Sequence, residues 1–177
     1  MAVDAPSDPV DELSAHDGEF CPQTLPQAPR ETYGFGTSTR ASDSPSLWEP
    51  QEAWICTYGA KDVAPSGSNG AWYEWARKGS PRQLSADELA GFAEAITQLK
   101  PSEDEESLCT DDLGPRYLVS FAYDNDLTGV VIDDYGCGEV RLTDDPFVTV
   151  SGDASQPGTV SGVLVQPAGM LSDLNVG

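Results

Sequence analysis

The clearest hydrophobic period in the chain lies between residues 85 and 99. Leu89, Phe92, Ala93, Ile96 and Leu99 recur at the three-to-four spacing of a single helical face. Ser85, with Glu88 three positions on, makes the S-x-x-E pattern of a capping box. Lys100 suits the negative end of a helix dipole, and Pro101 forbids continuation. These signals predict one main helix over about 85–99. Elsewhere the period is two. The run Ala53–Tyr58 puts Trp54, Cys56 and Tyr58 on one strand face and Ile55 on the other, with Gly59 expected to end it. Residues 59–70 are a Gly/Ser/Pro/Asn loop. A second strand is predicted over Ala71–Arg77, broken by Lys78-Gly79-Ser80-Pro81.

Further on, Tyr117, Val119, Phe121 and Tyr123 alternate with Leu118, Ser120 and Ala122, so apolar side chains fall on both faces. Asp124-Asn125-Asp126 predicts a turn, Val130–Asp133 a returning strand, and Glu139–Thr143 a third. Phe147–Val150 and Val160–Val165 are shorter strand-like runs. Residues 168–175 suggest a closing helix through Met170, Leu171 and Leu174. Strands, one helix, then strands again predict an α+β fold: an antiparallel sheet with the helix packed on one face.

Apolar density changes near residue 46. Leu, Ile, Val and Phe number six in residues 1–46 and 29 in the remaining 131. Few large apolar side chains offset little ordering entropy. Residues 1–18 are therefore expected to form a disordered acidic arm, and 19–46 an irregular segment held by Cys21. Together with the body from residue 47, residues 19–177 are expected to make one domain.

Charge narrows the function classes. Thirty acidic and nine basic residues give a net charge of −21, with one His. Phosphate backbones and anionic lipid surfaces both require Lys/Arg clusters, so neither nucleic acid nor such a membrane surface is expected as a partner. Apolar runs such as Gly129-Val130-Val131-Ile132 are strand-sized, well short of the roughly 20 residues of a membrane span. Residues 1–6 carry no basic stretch followed by an apolar one, so export would require a leader absent from this chain.

Cys21, Cys56, Cys109 and Cys137 are dispersed, with no C-x-x-C pair, and the single His gives no zinc spacing. An even, scattered set in an acidic chain suggests two disulfides formed in an oxidising compartment. Three connectivities are open to four Cys. The sequential one, Cys21–Cys56 and Cys109–Cys137, is expected because each pair flanks a compact stretch. Four buried free thiols in a cytosolic protein are the alternative.

Phe20-Cys21-Pro22, Cys56-x-Tyr58, Leu84-Ser85 opening the helix, Cys109 and Tyr135-Gly136-Cys137 resemble features of small extracytoplasmic proteins and lipoproteins of actinobacteria. The resemblance spans about residues 20–143. It implies an exported location and paired Cys, and it supplies neither an activity nor site residues.

Candidate chemistry is sparse. Asp124-x-Asp126-x-Thr128-Gly129 opens like a Ca²⁺-binding EF loop, but the twelfth position is Tyr135 where a bidentate Glu belongs. A hairpin turn accounts for the same residues. What survives is an irregular Ca²⁺ site of Asp124, Asp126, Asp133 and Asp134; no other cofactor is expected. Four Trp fall within 28 residues, and indoles beside carboxylates stack sugars or cations. Trp72 and Trp48 are the candidates, with burial in the core the competing account. His16 lies in the arm with no expected partner, and none of the common nucleophile, metalloprotease or nucleotide motifs is present. The expectation is a non-catalytic extracytoplasmic domain, secreted or envelope-tethered, that binds an envelope or extracellular ligand. A Ca²⁺-stabilised structural module and a carboxylate-dependent hydrolase of an extracellular polymer are the alternatives.

Overall fold

A computed structural model describes residue 6 and residues 8–103, 113–134 and 138–176. Among these, seven strands form one sheet: β1 (Glu52–Asp62), β2 (Tyr73–Gln83), β3 (Lys100–Pro101), β4 (Arg116–Tyr123), β5 (Asp126–Asp133), β6 (Glu139–Thr143) and β7 (Leu164–Val165). Their order is β2-β1-β4-β5-β6-β7-β3, and every neighbouring pair is antiparallel. The helices are α1 (Glu12–Ala15) and α2 (Ala86–Ile96). The fold is thus α+β with one main helix, dominated by its sheet.

The two-residue period of β4 sorts side chains onto two cores. Tyr117, Val119 and Phe121 face a cluster with Ile55, Val130, Ile132, Val140 and Leu142, covered by Phe92 and Ile96 of α2 and by Met170 and Leu174 near the C-terminus. Leu118 and Ala122 face a second cluster with Cys56, Tyr58, Trp75, Leu127 and Val131, covered by Phe20, Cys21 and Leu25. Each buried Val, Leu, Ile, Phe or Met among them contributes about 1.5–3 kcal/mol of transfer free energy. The β4–β5 turn is a two-residue loop, with Asp124 at φ 46° and Asn125 at φ 65°. Left-handed conformations at both central positions match the twist of a tight hairpin, which is why Asp and Asn stand there.

The second cover is built from the segment expected to be irregular or disordered. Glu12–Ala15 form a helical turn capped by the Asp11 side chain, and the Leu13 N–H donates to Asn125 O at 2.9 Å. Beyond it, Leu25 N–H donates to Trp75 O at 3.0 Å and Arg77 N–H to Gln23 O at 2.8 Å. A few well-placed residues, Leu13, Phe20, Leu25 and Phe35, give the segment its hold where apolar density alone suggests none. The Cys21–Cys56 disulfide, with Cα atoms 6.6 Å apart, fastens it to the middle of β1. Cys109 and Cys137 lie outside the described residues.

Several boundaries differ from the sequence reading. β1 runs through Gly59 to Asp62, and β2 runs through Gly79 and Pro81 to Gln83. Ile55 pairs with Arg82 but Thr57 with Lys78, so Gly79-Ser80-Pro81 bulge opposite Cys56. Gly79, at φ 74°, makes the bend, and proline's missing N–H is tolerated at a bulge on an outer strand. The helix ends at Ile96 with Thr97 as its C-cap, and Lys100-Pro101 pair with Leu164-Val165 instead of extending it. Pro146–Val148 are turn, and the closing helix is a single 3₁₀ turn at Ser172–Leu174.

Candidate functional site

A groove of about 650 Å³ lies between Ser44–Glu49 and the outer side of α2. Its volume falls in the range that takes small ligands. The segment before β1 is moored on the hairpin: Gln51 N–H donates to Ala122 O at 2.9 Å, and Asp124 N–H donates to Gln51 Oε1 at 2.9 Å. That mooring lays Trp48 flat on Tyr123, with centroids 4.7 Å apart and planes 7° from parallel. Opposite, Ala90, Ala93 and Thr97 recur on one side of α2, and their short side chains leave the groove open. Glu49 and Glu94, both exposed, supply carboxylates, and no Lys or Arg is among the described lining residues. The site therefore offers a braced indole, hydroxyls from Ser44, Ser46 and Thr97, and negative charge.

Trp72 is placed differently. It is half-buried, and the Arg30 guanidinium lies over its ring at 4.2 Å, so one face already holds an intramolecular cation. Val63 N–H donates to Trp72 O just past the end of β1, whereas Trp48 lies before that strand's start. An 11-residue strand spans roughly 35 Å. The two indoles do not form one site.

The four candidate aspartates are also separated. Asp124 and Asp126 sit at the turn end of the hairpin, and Asp133 and Asp134 at its far end, about 24 Å away along β5. Among the described residues, no group of three or more His, Cys, Asp or Glu is arranged to hold a metal ion. Asp133 has a different role. Its Oδ2 accepts from Arg141 at 2.9 Å, while Arg116 Nε stands 2.7 Å from Oδ1, an ion pair off the line of an aligned hydrogen bond. Arg116 also stacks on Trp75 at 4.2 Å and donates to Phe35 O at 2.7 Å, and Arg141 donates to Thr37 O at 2.8 Å and to Glu139 at 2.8 Å. The three are almost fully buried. One carboxylate thus holds two guanidiniums that grip the N-terminal segment by its carbonyls.

The turn end carries a second carboxyl group that sequence reasoning missed. Glu12 hydrogen-bonds Asp126 through its side chain, and its Oε2 accepts from Leu127 N–H at 2.9 Å. Burial, with Asp126 and Asp145 nearby, pushes the Glu12 carboxyl up to about 8 from its ordinary 4.5; burial raises Asp126 as well. His16, expected to have no partner, places Nε2 3.1 Å from Asp145 Oδ2 and stacks on Phe147 with centroids 4.0 Å apart. These partners lie 115 and 129 positions apart in the chain, and no local pattern signals them.

Comparison with family models, curated proteins and solved structures finds no match for the chain. Among the described residues, no helix is long and apolar enough to cross a membrane.

Proposed function

We propose that this protein is a non-catalytic, extracytoplasmic binding module that takes a neutral or cationic small ligand in the Trp48 groove. The observation that carries the reading is the indole braced by Tyr123 beside Glu49 and Glu94. An aromatic face attracts cations and the apolar faces of sugar rings, and flanking carboxylates favour cations and repel anions. The buried disulfide supports an oxidising compartment. A hydrolase is less well supported by the carboxyl geometry. Glu12 and Asp126 bond directly to each other, whereas a glycosidase pair stands about 5 Å or more apart with substrate between.

The test is a fluorescence titration of the full chain with neutral oligosaccharides and with quaternary ammonium compounds. Binding is expected to change Trp emission in the parent protein and in Trp72→Phe, but not in Trp48→Phe. Emission that responds to neither ligand class, or a response that survives Trp48→Phe, overturns the assignment.

A further inference from the structure

The N-terminal turn packs on the sheet through a contact surface that contains a surplus of carboxyl groups. From its own side, Glu12 and His16 point inward. β5 presents Asp126, and the loop after β6 presents Asp144 and Asp145. Four carboxyls and one imidazole meet there, and Leu13 and Phe147 pack beside them on the second core. The attachments are specific. Leu13 N–H donates to Asn125 O, Leu127 N–H to Glu12 Oε2, and His16 stacks on Phe147 while touching Asp145.

The Glu12–Asp126 contact at this surface depends on a proton. A carboxyl pair sharing one proton bonds well, and the same pair fully ionised repels. The carboxyl contact therefore weakens as its proton leaves. The His16–Asp145 contact is an ion pair only when the imidazole is protonated. Behind the turn, the Cys21–Cys56 bridge stops any release from spreading along the chain.

We propose that residues 8–18 are a proton-held latch, docked on the β4–β5 turn in acid and released in mildly alkaline solution, uncovering the apolar surface of Leu127 and Phe147. The sign follows from Glu12. Its docked form holds the proton more tightly than its free form, so the stabilisation is fully present below 4.5 and is lost as pH rises through about 8. The latch and the Trp48 mooring share the β4–β5 turn, but protection of the latch amides is read without any ligand in the groove, so the two readings can fail separately.

Hydrogen exchange on the full chain, corrected for the intrinsic pH dependence of exchange, tests this between about pH 5 and about pH 9. Protection of the Leu13 and Leu127 amides is expected to fall by about tenfold or more over that range, while Val119 and Val130 in the sheet keep theirs. Glu12→Gln keeps an acceptor for Leu127 N–H and a donor for Asp126 without a titrating proton. It is expected to abolish most of the loss. Constant protection in the wild-type chain overturns the latch, and so does a Glu12→Gln chain that loses protection as the wild type does.

Discussion

At the scale of single residues, the least replaceable group is Asp133. It neutralises two guanidiniums that are each nearly inaccessible to water. Removing one partner of a buried ionic cluster leaves uncompensated charge, which costs about 3–5 kcal/mol. Asp133→Asn keeps the shape and removes the charge, leaving Arg116 and Arg141 to repel each other. Its urea midpoint is expected to fall by an amount corresponding to that range; an unchanged midpoint would show that the arginines find other partners. The sequence marks Asp133 only as one acid among 30 and as a candidate cation ligand. A strand position at the end of β5 gains meaning from Arg116 across β4 and Arg141 across β6, and that register is a tertiary fact. Reading Asp133 with Asp124 and Asp126 as cation ligands assumed closeness in space from closeness in sequence. An extended strand instead carries them apart.

At the scale of elements, the contrast between α2 and α1 shows what was legible. The α2 capping box is local: Ser85 Oγ accepts from Glu88 N–H at 3.2 Å, and Glu88 Oε2 accepts from Ser85 N–H at 2.7 Å. Three-residue spacing and an apolar stripe announce such a helix wherever it sits. Ser85→Ala is expected to cost about 1 kcal/mol, read by thermal melting. The Ser85 backbone, Arg82 and Asn175 together hold the Glu88 carboxyl at about 2, well below its ordinary 4.5. A lowered carboxyl stabilises the fold above 4.5 and loses that contribution as pH falls through about 2. The melting temperature of Glu88→Gln is therefore expected to lie below that of the parent near pH 6, and the gap to close near pH 2. A constant gap would assign the difference to packing. Glu88 and Glu12 thus carry opposite pH signatures, one strengthened by ionisation and one by protonation. No stripe or box marks α1, because its four residues are held by β5 and the loop after β6.

For the whole molecule, the sheet and both its faces follow from alternation in β1, β4 and β5, whose residues fill two cores. What covers the second face was legible only as an irregular segment held by Cys21, not as a packed cover. Composition weighs a segment by its average, whereas Phe20, Leu25 and Phe35 act singly, aided by a covalent bond and by carbonyls that two arginines hold. The bridge closes a loop with a sequence separation of 35, worth roughly 4 kcal/mol in the chain-entropy account. Replacing Cys21 and Cys56 together by Ala is expected to lower the melting temperature by roughly 8–16 °C. A loss of only a degree or two would mean that the arginine grip alone retains the cover.

The backbone of residues 23–25 lies along the outer side of β2, exchanging hydrogen bonds with Trp75 and Arg77. β2 is the last strand on that side of the sheet. Peeling the segment away would bare a row of unsatisfied amides and carbonyls, a template on which a second chain can add its own strand. Residues 23–25 therefore cap this stretch of the outermost strand, and cutting the chain beside them is expected to expose an edge open to strand addition.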